Sequence, residues 1–291
     1  MGEAVIRVAT EGDLERWVAI KNAVVPNEPS TLEQVRAAWT PERLHLLVDD
    51  VACGVVDRSS FGGRAFIAVR VLEHHRRRGV GAALYLELAR YARSLGLEGV
   101  NAFVHADEPH SIAFAEGFGL GEVDYQLEQV RTVGDEPPPA PDAVVVEPLG
   151  RRRDELLPAV WDRIAAEAYE DLPLPGEVSH DREAWLREEA TRPDGSFVAV
   201  ENGELVGYAS LMEHADGPAK AEHGLTAVRR DRRGRGIGRS LKLAQLHWAA
   251  QSGVLELVTW TQKGNERMQA LNRSLGYVDR SKVITFQGPL P

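Results

Sequence analysis

One cysteine, Cys53, stands in 291 residues. That excludes an internal disulfide and a thiolate metal cluster. No apolar run approaches the ~20 residues a membrane span needs. The opening Met1-Gly2-Glu3-Ala4-Val5 lacks a charged-then-apolar leader and a lipidation context. The expectation is a cytoplasmic protein with no membrane partner. Positive charge is also in deficit. The net charge of −10 argues against a general nucleic-acid binder. Arginine clusters do occur at 76–78, 151–153 and 229–235. Two of the three sit at glycine-rich turns, where a small polyphosphate accounts for them. His74-His75 and the pair His105 and His110 lack matching carboxylates or cysteines, so no metal is expected. No Ser-His-Asp set is visible. An acidic surface suits a cationic amine substrate. The 43% hydrophobic and 27% charged content is that of a soluble globular protein, and the length suggests two domains.

What is present is a repeated glycine turn. Arg233-Gly234-Arg235-Gly236-Ile237-Gly238 follows the apolar run Leu225 to Val228 and opens a helix-patterned segment. Gly236 and Gly238 let a ligand approach the backbone. The N–H groups and dipole of the helix start favour an anion there, and the arginines suit a diphosphate. Arg76-Arg77-Arg78-Gly79-Val80-Gly81 has the same setting 157 positions earlier.

The surroundings repeat as well. Pro-rich 136–142 is read as a linker between domains at 1–135 and 143–291. In the first half, strands are expected at 5–8, 44–48, 51–56, 64–71 and 99–104, with helices at 11–24, after the glycine turn to about 95, and at 110–116. In the second half, strands are expected at 143–147, 197–201, 205–212, 222–228, 255–261, 277–278 and 283–286. Helices are expected at 155–168, 239–251 and 265–275. Asn202-Gly203 is a hairpin signal. Residues 170–192 are extra in the second half, and are either a connector or a border of a substrate site.

These motifs resemble, twice over, the GNAT superfamily of acyl-CoA-dependent N-acyltransferases. Arg233 to Gly238 and Arg76 to Gly81 fit the family's Gln/Arg-x-x-Gly-x-Gly/Ala turn. Thr259 to Thr261, Asn265 to Asn272 and Leu275-Gly276-Tyr277 fit its later strand–helix motif, and Ala113 to Leu120 is a poorer version. The resemblance covers nearly the whole chain and takes the tandem form seen in mycothiol synthases and some antibiotic acetyltransferases. It implies an α/β fold of two GNAT-type domains, each a mixed, mostly antiparallel sheet flanked by helices. It also implies acetyl-CoA as acyl donor. The pyrophosphate would rest on Gly234 to Gly238, beside Arg233, Arg235 and Ile237. Pantetheine would pair with Thr226, Ala227 and Val228, and Asn265 and Asn272 would face the thioester. In the first domain Arg76, Gly79 and Gly81 either hold CoA or merely turn the chain.

Acetyl transfer to an amine needs a base, a polarised carbonyl and a leaving thiolate. Glu222 is the candidate base, because the histone-acetyltransferase branch has a glutamate at the equivalent position. It could equally be an exposed acid at a strand end. Strand alternation places Glu222 with Gly224, Thr226 and Val228 on one face. His223, His214 and Glu213 are alternatives. A backbone N–H near Val228 would polarise the carbonyl. The tyrosine that many members use as acid is replaced by Asn272, and by Ala115 in the first half. Either Asn272 orients the thiolate while water protonates it, or a residue such as Tyr169 enters from the insertion. Tyr277, Trp248 and Trp260 read as packing residues, while Trp185 could line a pocket. Six residues before Val71 stands Ala65, so the first domain lacks the base. The expected function is acetyl transfer from acetyl-CoA to the primary amine of a small molecule, by direct attack in a ternary complex in the second domain. The alternative is an acyl-CoA-binding regulatory or scaffold protein without catalysis.

Overall fold

The computed structural model describes residues 5–26, 28–40, 42–59, 63–138, 144–172 and 181–291. The end of the Pro-rich linker, Ala143 and residues 173–180 of the insertion lie outside them. Two compact units emerge, one of residues up to Asp124 together with Val283–Pro291, the other of residues between Tyr125 and Lys282.

The first unit runs β1 (Ile6–Val8), α1 (Leu14–Val24), α2 (Leu32–Ala37), β2 (Leu44–Val48), β3 (Ala52–Arg58), β4 (Arg64–Val71), α3 (Val80–Ser94), β5 (Gly99–His105) and α4 (Pro109–Gly117). Helix α2 begins with a capping box. The Thr31 hydroxyl accepts the Gln34 N–H at 3.1 Å, and the Gln34 side chain accepts the Thr31 N–H at 2.8 Å. The strands lie in the order β1 to β5, antiparallel except for the parallel pair β4–β5. Pleating sends Ala65 and Ile67 towards α3, where Leu84, Leu88 and Val100 pack. Phe66 and Ala68 face α1, against Trp17, Leu47 and Cys53.

A long strand, β6 (Gly121–Thr132), leads into the second unit. There follow β7 (Val145–Pro148), α5 (Arg153–Val160), a π-helical turn at Trp161–Ala165, α6 (Ala166–Glu170), α7 (Arg182–Glu188), β8 (Phe197–Glu201) and β9 (Glu204–Glu213). The unit continues with β10 (Lys220–Val228), α8 (Ile237–Gln251), β11 (Glu256–Gln262), α9 (Glu266–Ser274) and β12 (Val278–Pro289). From Tyr125 on, the sheet order is β6-β11-β10-β9-β8-β7, with β10–β11 the parallel pair. Asn202 (φ 51°) and Gly203 (φ 81°) make the β8–β9 turn left-handed, as a tight hairpin requires.

The two units share one plan but exchange last strands. From Val283, β12 lines up antiparallel beside β5, with Val283 opposite His105 and Pro289 opposite Gly99. From Gln126, β6 lies antiparallel along all of β11. Two short strands were expected at 277–278 and 283–286. The structure has one continuous strand there, Val278–Pro289, paired with β5 from Val283 on. Strand β6 was not anticipated, although Val123, Tyr125 and Leu127 alternate with charged and polar residues at the period of a strand. Among the described residues no helix is long and apolar enough to cross a membrane.

Candidate functional site

The site in the second unit begins where two strands part. β10 and β11 pair only through Lys220, Ala221 and Glu222, opposite Glu256, Leu257 and Val258. Beyond Glu222 the β11-facing edge of β10 has no ladder, while the other edge stays paired to β9. The parting coincides with a bulge. His223 faces Leu211 and Thr226 faces Ala209, so Gly224 and Leu225 both oppose Ser210. Gly224 is required there, since a Cβ would stand 2.4 Å from Ser210 Oγ. The extra residue also overturns the expected alternation. Glu222 shares a face with Ala227, together with Met212, Ser210 and Tyr208, whereas Thr226 and Val228 share the opposite face with His223. The core confirms this: Ala227 packs with Tyr208 under α5, and Val228 with Ile237 and Leu241 of α8.

The glycine turn joins β10 to α8. Gly234 (φ 76°) and Gly236 (φ 85°) are left-handed and open into free space, with nothing within 4 Å of an added Cβ. Among the described residues, nothing accepts a hydrogen bond from the N–H groups of Gly234 to Gly238. Five consecutive free donors at a helix start are an anion nest. The arginines are otherwise occupied. Arg233 donates Nε–H to the Val228 carbonyl at 2.9 Å and pairs with Asp171 at 2.7 Å. Arg235 and Arg232 pair with Glu201 at 2.6 and 3.0 Å. Arg230 grips Asp171 as well, and holds that carboxyl down at about 2. Ile237 is 2% exposed, so only its backbone is available, and a Cβ added at Gly238 would stand 3.8 Å from Leu271.

Glu222 is half-buried, and burial raises its pKa, with Glu128 adding to the rise and His214 opposing it. A carboxylate held above its ordinary range is a better proton acceptor near neutrality. Glu128 is clamped by Arg280 and accepts the Ser281 hydroxyl at 2.9 Å. Trp260, opposite Glu128 on β11, is 37% exposed rather than a core residue. Trp248 keeps to the core role expected of it, and Glu213 is exposed at the end of β9. Asn265 stands at the N-terminal boundary of α9, makes no side-chain capping bond to it, and is half-buried. Asn272 is fully buried and donates Nδ2–H to Gln129 Oε1 at 2.9 Å. Among the described residues its Oδ1 has no partner, nor do the buried Oγ1 atoms of Thr226 and Thr261. These orphans belong to β10, β11 and α9, the elements around the parting. Cys53 is fully buried, and burial pushes its thiol up to about 12, so it offers no nucleophile.

On the opposite face His223 is buried and bonds the Tyr277 hydroxyl at 2.6 Å. Burial drives the His223 pKa down and the Tyr277 pKa up. Lys242 of α8 is 1% exposed, with its ammonium 5.5 Å from the Tyr277 ring centre, and burial lowers it to about 7. The unfolded chain keeps the lysine proton up to about pH 10.4. Stability therefore rises with pH between about 7 and 10, by about 1.4 kcal/mol per unit from this group. Lys242→Met is expected to be more stable than the wild type at pH 7. That gap should shrink as the pH approaches 10, as denaturant melts at three pH values would reveal.

The first unit has the same frame with different residues at the matching positions. β4 and β5 pair through Arg64, Ala65 and Phe66 and then part. Arg76 Nε donates to the Val71 carbonyl at 3.0 Å, the twin of the Arg233 bond, and Gly79 (φ 83°) matches Gly236. A Cβ added at Gly81 would stand 3.4 Å from Phe114. β4 has no bulge, so its register is continuous from Ala65 to Val71. The residue in the place of Glu222 is therefore Phe66, not Ala65: both are last in their parallel ladders. Arg70 stands for Ala227 and carries a buried Nη1 without a partner. Ala115 stands for Asn272, and Arg77 is forced to φ 63° where the second unit has Gly234. Among the described residues no cluster of three or more His, Cys, Asp or Glu side chains is placed to hold a metal.

The sequence pattern of the acetyltransferase (GNAT) family matches residues 14–120 and again 161–277. The chain is 29% identical over 276 residues to a mycothiol acetyltransferase of Thermomonospora curvata, covering 93% of this chain and 90% of that one. It is 27% identical over 243 residues to that of Kocuria rhizophila, covering 78% and 76%. Among solved structures, a GCN5-related N-acetyltransferase from Sphaerobacter thermophilus superposes with a TM-score of 0.73 at 21% identity, over 98% of this chain and 95% of that one. A tandem GNAT protein from the clavulanic acid biosynthesis pathway superposes at 0.67 and 19% identity, over 99% of both. These structures share the two-domain fold. With two family matches and acetyltransferase relatives along most of its length, the chain belongs to the GNAT acetyltransferase family and is an acetyl-CoA-dependent N-acetyltransferase.

Proposed function

We propose that the second unit transfers acetyl from acetyl-CoA to the primary amine of a small molecule, by direct attack in a ternary complex. The observation that carries this reading is the coincidence of three features at one place: the parting of β10 from β11, the nest of free N–H groups after it, and the half-buried Glu222 at its start. The nest suits the pyrophosphate, with Gly234 to Gly238 as donors. The unpaired edge of Thr226 to Val228 suits the pantetheine amides, by strand addition. The orphaned oxygens of Thr226, Thr261 and Asn272 offer acceptors and a hydroxyl donor to the same arm. Asn265, at the head of α9, borders it. Arg233 and Arg235 act by holding the turn in shape through Asp171 and Glu201 rather than by reaching for phosphate.

Glu222 takes a proton from the ammonium of the acceptor. The neutral nitrogen then bonds to the acetyl carbon as the carbon–sulfur bond breaks; the electron pair leaves on sulfur, and the proton still carried by the nitrogen passes through water to that thiolate, leaving the amide and free CoA thiol. A thiol with a pKa of roughly 8.5 is an adequate leaving group without a strong acid. That explains how the reaction proceeds with Asn272 where a tyrosine is usual. Asn272 then serves to orient the sulfur end of the donor. The first unit, with Phe66 for Glu222, has no proton acceptor at this position. Its loop at Arg76, Gly79 and Gly81 keeps only the geometry of a nucleotide cradle.

The relatives bear the name mycothiol acetyltransferase, which favours a small amine over a protein terminus. A panel of small primary amines, with free thiol release monitored in the presence of acetyl-CoA, tests the reading. Turnover with at least one small amine is expected. Release confined to peptide N-termini would reject it.

A further inference from the structure

Glu189 takes no part in the reading above, yet the fold fixes it in place. It ends α7, and the Arg153 guanidinium binds the carbonyls of Leu186, Arg187, Glu189 and Ala190 at 2.6 to 3.3 Å. The next residue, Ala190, is fully buried with φ 53°, a left-handed conformation that costs an alanine about 1 kcal/mol. The result is a carboxyl only 7% exposed, aimed at the bulge of β10. Its Oε1 accepts from the Ser210 hydroxyl, from the Tyr208 hydroxyl at 3.2 Å and from the Leu225 N–H at 3.2 Å. Its Oε2 accepts from no described residue. A glutamine oxygen would take the same three bonds, so the fold needs an acceptor here but no charge. A carboxylate with one bare oxygen is costly to bury. Burial accordingly raises its pKa, against the pull of those donors.

A run of aromatic rings begins at Tyr208, whose hydroxyl bonds this carboxyl. The Trp185 ring centre lies 6.1 Å from that of Tyr208 and 5.2 Å from that of Trp161, which lies 6.0 Å from Tyr169. Trp185 donates its indole N–H to the Tyr169 hydroxyl at 2.9 Å, which fixes both rings. Trp161 opens the π-helical turn, a rare geometry that resets the direction of side chains. Trp161 and Tyr169 keep partial exposure. Ring faces are electron-rich and attract cations, most strongly where water is scarce. Tyr208 and Ser210 lie on the Glu222 face of the sheet, two and one alternations along β9 from Met212, its partner. The spacing from Met212 to Ser210 is roughly 7 Å.

We propose that Glu189, with the rings of Trp161, Tyr169 and Trp185, forms a cation subsite that draws in the acceptor as an alkylammonium ion before Glu222 removes its proton. This rests on the second unit being the acetyl-transfer unit. The acceptor class it selects is organic cations. Tetramethylammonium, which cannot be acetylated, is the probe, with potassium chloride at equal ionic strength as control. It should compete with the amine acceptor and not with acetyl-CoA. Glu189→Gln keeps the three hydrogen bonds and should fold. It is expected to raise the acceptor KM about tenfold and to weaken tetramethylammonium by a similar factor, with kcat and the KM for acetyl-CoA nearly unchanged. A merely structural glutamate would move all three constants or none. An unchanged acceptor KM in folded Glu189→Gln, or no competition by tetramethylammonium, overturns the proposal. Should Glu189→Gln not fold, Trp161→Leu carries the same comparison. If no small amine releases thiol, the functional reading fails by itself. Calorimetry of tetramethylammonium then decides the subsite separately: heat in the wild type that is lost in Trp161→Leu supports it, and no heat rejects it.

Discussion

Glu222→Gln is expected to lower kcat by about two to three orders of magnitude, the usual worth of a positioned base, while acetyl-CoA binds as before. The amide is the same size, so the parallel ladder through Lys220, Ala221 and Glu222 is kept. What is lost is the proton acceptor. Because burial already raises the Glu222 pKa, the wild-type rate should fall as pH drops through that raised value. The variant should lose this acid limb and show a flatter profile. Steady-state rates from pH 5 to 9, with acetyl-CoA affinity measured alongside, check both statements. A Glu222→Gln protein with wild-type turnover across the range would reject Glu222 as base and return attention to His214, whose charge lies near enough to be felt by Glu222.

Gly236→Glu should abolish acetyl-CoA binding, a loss of more than a hundredfold. Two effects add. A side chain at φ 85° is strained by about 1 kcal/mol. It also occupies the space in front of the five free N–H groups and brings a negative charge to a site built for anions. Calorimetry with acetyl-CoA reads the loss directly. A thermal melt shows whether the fold survives, and it should, since Gly236 is exposed and a Cβ added there would meet nothing within 4 Å.

Much of this was legible in the sequence, and for identifiable reasons. The glycine turns at Arg76 and Arg233 declare themselves because left-handed backbone needs glycine, and the periodic apolar runs beside them fix strands and helices. The family follows from the repeat. The exchange of β6 and β12 was not legible, because strand patterning says which residues alternate but not which neighbour they find. The bulge at Gly224 was missed for a related reason. A single inserted residue leaves no compositional mark, yet it moves Thr226 and Val228 to the face opposite Glu222 and changes the counterpart of Glu222 in the first unit from Ala65 to Phe66. The acidic partners of the arginines, Asp171 and Glu201, were not legible because they are distant in sequence. Glu189 carried no motif at all; only the fold brings it to the bulge.

On the function proposed above, one frame is built twice and the second unit alone does the chemistry. Gly79 and Gly236 are a matched pair for testing this, with φ of 83° and 85° and open space at both. The decisive measurement is acetyl-CoA turnover, with one active amine, of Gly79→Glu and Gly236→Glu side by side. The account predicts that Gly79→Glu keeps most of the wild-type rate and Gly236→Glu loses it. Loss of turnover in folded Gly79→Glu, with activity retained in Gly236→Glu, would contradict it.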